Sequence, residues 1–158
     1  MKIIFLSDIH GVPSALEAAL AAADTLEYDR IVLLGDLLYH GPRNGVPNFY
    51  DPVKTAQILN SRKDKIIAVR GNCDAEVDQM MLEYPMMSDY AILDTEKEKF
   101  FLTHGHLWNE CKLPPLGNPT RQNLHLRGRR RQARLPSHRL PHPGPGRQAP
   151  VPPDQAHH

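Results

Sequence analysis

Ile3-Ile4-Phe5-Leu6-Ser7-Asp8-Ile9-His10 sets a short apolar run directly against a carboxylate and an imidazole, and the same grammar recurs along the chain. Residues 3–6 read as a buried strand. Ser14 reads as the cap of the following helix, with Glu17 completing a capping box and Leu16, Ala19, Leu20 and Ala23 forming its apolar stripe. Ile31-Val32-Leu33-Leu34 is the second strand, followed by a Gly/Pro/Asn-rich loop over 41–48. Asp51 and Pro52 are the N-cap and first residue of a second helix, and Ile66-Ile67-Ala68-Val69 is the third strand. A helix is predicted over 74–83. Residues 90–94 and 100–103 form a hairpin around Thr95-Glu96-Lys97-Glu98. Strands alternating with helices define an α/β fold.

The chain has 158 residues, the size of one domain, and a formal net charge of +1. That small number hides a division. Residues 1–110 carry 10 Lys+Arg against 17 Asp+Glu, whereas 111–158 carry 9 against 1. The second segment also holds 10 of the 15 prolines, and five arginines fall within 127–134. It shows no strand-like or helical period, so residues 111–158 are expected to form a disordered tail on a domain spanning 1–110. Cys73 and Cys111 imply no disulfide framework. No apolar run reaches the roughly 20 residues of a membrane span, and the start of the chain lacks a signal-peptide layout. The expected location is cytoplasmic.

Four polar clusters follow apolar strands: Asp8 with His10, Gly35-Asp36, Gly71-Asn72, and Thr103-His104-Gly105-His106. Each alone is ordinary turn or capping chemistry. Together they are four strand ends each supplying a metal-binding residue, and open α/β sheets bind ligands at the carboxyl ends of their strands. Carboxylate, imidazole and amide oxygen suit divalent ions such as Mn²⁺, Zn²⁺ or Fe²⁺. A single carboxylate between two ions about 3.5–4 Å apart matches two-metal phosphoryl chemistry.

Asp8-Ile9-His10, Gly35-Asp36, Gly71-Asn72-Cys73-Asp74 and His104-Gly105-His106 resemble the successive signatures of the calcineurin-like metallophosphoesterases. Gly41-Pro42-Arg43-Asn44 and Val69-Arg70-Gly71-Asn72-Cys73-Asp74 narrow the resemblance to small bacterial phosphodiesterases of the YfcE type, over about residues 1–110. The resemblance implies a four-layer αββα sandwich with two divalent ions, Mn²⁺ foremost and Zn²⁺, Fe²⁺ or Ni²⁺ as alternatives. It implies that Asp8 and His10 hold one metal, that Asp36 bridges, and that Asn72 and His104 hold the other. Asp36 is thereby also catalytic, and Arg43 is a candidate phosphate contact.

Three departures stand out. Cys73 occupies the place where much of the superfamily has a histidine that assists the leaving group. Tyr39 stands where many members carry Asp or Asn. The Gly-His-x-His element that would give one histidine to each metal is not found after His106. Residues beyond 116 read as an out-of-frame tail, and the second sheet is expected to be incomplete.

The function expected from these residues is metal-dependent hydrolysis of a small phosphodiester, impaired by loss of that element. The competing classes are an inactive pseudoenzyme and a binding protein whose basic tail contacts nucleic acid. The acidic first segment and the absence of aromatic interleaving argue against nucleic acid. No membrane partner is implied, and a homo-oligomer is left open.

Overall fold

In a computed structural model of the chain, the described residues are 1–109, 111, 112 and 114, together with the backbone of 124–127. Strands β1 (Ile3–Leu6), β2 (Arg30–Leu33) and β3 (Ile66–Ala68) form a parallel sheet in the order β1-β2-β3. The register pairs Ile4 with Ile31 and Leu33 with Ala68. Parallel neighbours require crossovers, which α1 (Pro13–Asp24) and α2 (Pro52–Asn60) supply. A single 3-10 turn at Lys63–Lys65 leads into β3, and α3 (Glu76–Met81) follows it. A second sheet, in the order β4-β5-β6, contains β4 (Ala91–Asp94), β5 (Lys99–Leu102) and β6 (Leu124–Arg127). The β4–β5 pair is antiparallel and the β5–β6 pair is parallel.

Both faces of the first sheet are covered, which is why its strands are unbroken apolar runs. Ile4, Leu6, Ile31, Leu33, Ile66 and Ala68 pack with Leu16 and Leu20 of α1 and Ala56 and Leu59 of α2. The alternate residues Ile3, Phe5, Val32, Leu34, Ile67 and Val69 pack with Ala91, Leu93, Phe100 and Leu102 of the second sheet. Each fully buried Leu, Ile or Phe contributes roughly 1.5–3 kcal/mol. Helix, sheet and sheet are therefore the layers among the described residues, three of the four that the αββα expectation names. On the outer side of the second sheet, buried Phe101 stacks on Tyr90 at 5.1 Å and meets Trp108 edge-on. Among the described residues no helix is long and apolar enough to cross a membrane.

Local expectations met mixed outcomes. Asp51 caps α2 by accepting the Lys54 N–H, with Pro52 at the first helical position, as expected. Ser14 is not a cap. The residue before α1 is Val12, and no side chain caps it. Pro13 has its φ preset near the helical value and no N–H to satisfy, so it takes the first helical position and draws Ser14 into the first turn. The helix expected over 74–83 shrinks to Glu76–Met81, because Asp74 is engaged elsewhere. The expectation of no strand beyond 116 is corrected at Leu124–Arg127, which pairs along the whole of β5. Apart from Cys111, Lys112 and Pro114, the rest of the tail expected to be disordered, including the arginines at 129–134, His138 and His142, lies outside the described residues.

The carboxyl ends of the parallel strands are bolted together through Asp74. Its Oδ2 accepts the backbone N–H groups of Asp36 (2.7 Å) and Gly71 (2.6 Å), and its Oδ1 accepts that of Leu37 (2.8 Å). The loops after β2 and β3 thus share one buried carboxylate. They also touch directly: a Cβ on Gly35 would strike the Gly71 backbone, and a Cβ on Gly71 would strike Asp36. Alongside, the loop after β1 donates from Asp8, His10 and Gly11 to the carbonyls of Gly35, Asp36 and Leu37. Stranding buried N–H groups costs about 1–3 kcal/mol each. We expect Asp74→Ala to lower unfolding stability by about 3 kcal/mol in urea titration, whereas the exposed Asp94→Ala should shift it by less than about 1 kcal/mol. Equal midpoints for the two variants would show that the carboxylate does not hold the loops.

Candidate metal centre

At the strand ends the backbone adopts conformations that side chains rarely choose. Asp8 (φ 57°), His10 (φ 50°) and Asp36 (φ 56°) are all left-handed. Such residues cost on the order of 1–3 kcal/mol each and persist only where the surroundings enforce them. Here the enforcing contacts are the paired loops described above. The result is that the carboxylates and imidazole of two different turns share one small volume.

The histidine tautomers follow from carbonyl partners. His104, fully buried after β5, directs Nδ1 at the Leu34 carbonyl at 2.7 Å. His10 directs Nδ1 at the Tyr39 carbonyl at 2.8 Å. A carbonyl only accepts, so each Nδ1 carries a proton and each Nε2 is the ring nitrogen turned towards the carboxylates. His104 Nε2 lies 3.4 Å from Asp36 Oδ2 and 3.1 Å from Asn72 Oδ1. His10 Nε2 lies 3.8 Å from the same Asp36 oxygen and 3.6 Å from Asp8 Oδ1. Carboxylate and amide oxygens thus gather around the two Nε2 atoms, an arrangement that a cation between them satisfies in place of the Nε2 protons.

The remaining oxygens are oriented from outside. Ser7 donates its hydroxyl to Asp8 Oδ2 at 2.7 Å, and the Cys73 N–H donates to Asp36 Oδ1 at 2.8 Å. Two groups of potential ligands result, His10 with Asp36 and Cys73, and Asp8 with Asp36 and His104, each with ligand atoms within 4.8 Å of one another. Asp36 belongs to both. The donor set of carboxylate, imidazole and amide oxygen fits a pair of borderline divalent ions.

The electrostatics reflect concentrated negative charge. Contact with Asp8 raises the His10 pKa above the usual imidazole value, more than burial lowers it. Burial and the Asp36 carboxylate push the Cys73 thiol up to about 11. Burial, then the neighbouring His104 and Arg70, hold His106 below its usual value.

Every residue expected at the metals is therefore gathered: Asp8, His10, Asp36, Asn72 and His104. Cys73 joins them. Arg43 is exposed at the rim, close enough for its charge to act on Cys73. Tyr39 contributes its backbone carbonyl to His10, so the departure at that position leaves the imidazole supported. Asp74 escaped the sequence reading as a site residue. Its only signal was a carboxylate three residues after Gly71, which reads equally as the cap of α3.

Comparison with known proteins agrees with this geometry. Residues 1–136 match the calcineurin-like phosphoesterase superfamily domain. The chain is 48% identical over 116 residues to proteins named Phosphodiesterase YfcE from Escherichia coli strain K12 and from strain O157:H7. That alignment covers 73% of this chain and 63% of theirs, so the chain spans less than two thirds of the length of these relatives. The solved structure of YfcE, described as a phosphoesterase from E. coli, superposes with a TM-score of 0.70 at 47% identity, over 74% of this chain and 64% of that one. With this fold and these strand-end signatures, the chain belongs to the calcineurin-like phosphoesterase superfamily.

Proposed function

We propose that this chain carries a two-metal phosphodiesterase site for small phosphodiesters, and that the site works below the level of an intact relative. The observation that carries the reading is Asp36 Oδ2, which lies 3.8 Å from His10 Nε2 and 3.4 Å from His104 Nε2. A carboxylate so placed is built to bridge. The similarity to YfcE proteins, named as phosphodiesterases, supports the substrate class.

In this reading Asp8, His10 and Asp36 hold one divalent ion, and Asp36, Asn72 and His104 hold the other. Mn²⁺ is the first choice, with Zn²⁺, Fe²⁺ or Ni²⁺ as alternatives. Bound ions would supply the Lewis acidity for attack of water on phosphorus. The protein's part is positional. Tyr39 and Leu34 carbonyls fix the imidazole faces, and Asp74 fixes the loop that presents Asp36. Arg43 at the rim offers a guanidinium fork to a non-bridging phosphate oxygen. With Cys73 in that place, no imidazolium stands there to protonate the leaving group near neutral pH.

The impairment rests on ligand count. Residues 107–158 contain no Gly-His-x-His, so no such element within this sequence supplies the histidine that the resemblance assigns to each ion. Metal centres lose affinity steeply as their ligand sets thin.

Two outcomes test this. Metal-stripped protein should hydrolyse bis-(p-nitrophenyl) phosphate only after Mn²⁺ is restored. Asp36→Asn should lose metal uptake in equilibrium dialysis, and its rate should fall by more than the roughly 10–100-fold typical of losing a supporting residue. Turnover that survives chelation, or an Asp36→Asn variant with unchanged metal content, would contradict the mechanism. Replacing residues 117–158 by a C-terminal segment bearing Gly-His-x-His should raise metal occupancy and diesterase rate together. If the rate stays flat while occupancy rises, the missing histidines do not explain the deficit.

A further inference from the structure

We propose that Cys73 is a metal ligand in this chain, its Sγ closing a group with His10 and Asp36 around one ion. This rests on the metal reading above and extends it to a soft donor. The ligand atoms of the three residues lie within 4.8 Å of one another, and bonds of about 2.0–2.3 Å to a shared ion need only modest closure from that spacing.

Three contacts hold the sulfur in place. The Cys73 N–H donates to Asp36 Oδ1, which keeps the residue against the bridging carboxylate. Left-handed Gly41 runs so close that a Cβ there would lie 2.9 Å from Sγ, so the 41–44 turn backs the thiol from the outside. Asn72 Nδ2 donates to Sγ at 3.1 Å, an outer hydrogen bond of the kind that supports a bound thiolate. The ligand count points the same way. His10, Asp8 and Asp36 leave their ion short of donors, and the sulfur is the further donor already within reach.

Coordination replaces one bond with another. The S–H proton leaves to solvent, the electron pair stays on sulfur, and Sγ binds the metal; a coordinating thiol is deprotonated outright. A thiolate biases its half of the centre towards Zn²⁺, Co²⁺ or Fe²⁺ and away from Mn²⁺.

Cobalt makes the ligand visible. Wild-type protein loaded with Co²⁺ should show a near-ultraviolet sulfur-to-cobalt charge-transfer band. The band should persist in Cys111→Ser and vanish in Cys73→Ser, with Zn²⁺ affinity in Cys73→Ser falling on the order of 10–100-fold by chelator competition. Far-UV circular dichroism of the metal-free variant checks that it folds. Should it not fold, the wild-type chain still decides: Zn²⁺ should protect Cys73, and not Cys111, from alkylation mapped by mass spectrometry. Cobalt bound without the band, a band that survives in Cys73→Ser, or Cys73 alkylated equally with and without Zn²⁺ overturns the proposal and leaves the oxygen and nitrogen ligands standing. A wild-type chain that takes up no cobalt overturns the metal centre itself.

Discussion

The Asp74 carboxylate accepts N–H groups from Asp36, Leu37 and Gly71, and the geometry of the centre hangs on those bonds. Without them the loops after β2 and β3 have no shared anchor, and Asp36 has no reason to keep a left-handed backbone. A buried carboxylate is costly unless hydrogen bonds satisfy it. Here the donors are fixed backbone groups, so the charge is met without recruiting a lysine or arginine. The centre keeps its negative potential, which is what a cation needs to find.

Strain and support are distributed across three loops. Asp8, His10 and Asp36 each hold a φ that disfavours a side chain, and each is enforced by pairing with a neighbouring loop. The spacing Asp8-Ile9-His10 can deliver both side chains to one cleft because the backbone turns through two left-handed residues. Gly11 and Gly35 complete those turns where no side chain fits. Stability is spent on ligand placement, the usual relation between a site and its scaffold.

Much of this was readable in the chain. Strands buried on both faces leave continuous apolar runs, so β1, β2 and β3 were visible, and the polar clusters at their ends marked the site. Asp51 was readable because its capping bond is local. Asp74 was not, because its decisive partners at Asp36 and Leu37 lie 38 and 37 positions away, and nearby α3 offered a plausible competing role. Ser14 misled because a cap is a competition, and Pro13 won the first helical position. Strand β6 was hidden in a basic, proline-rich setting. The alternation Leu124-His125-Leu126-Arg127 is a period-two signal, but four residues are too few to outweigh the composition around them. The carbonyls of Tyr39 and Leu34 leave no trace in sequence, since any residue supplies one.

His104 reaches across 70 positions to the Leu34 carbonyl, and in doing so it joins the second sheet to the first. Contacts of such separation form only after a large loss of chain entropy, whereas the β1-α1-β2 unit assembles from near neighbours. The first sheet and its helices can therefore organise before the centre exists in complete form. The second imidazole arrives only when the two sheets close face to face and bury the cluster around Val32, Phe100 and Leu102. A cation held by His104 then binds only the closed arrangement, so its presence would tighten the sheet-to-sheet interface by mass action.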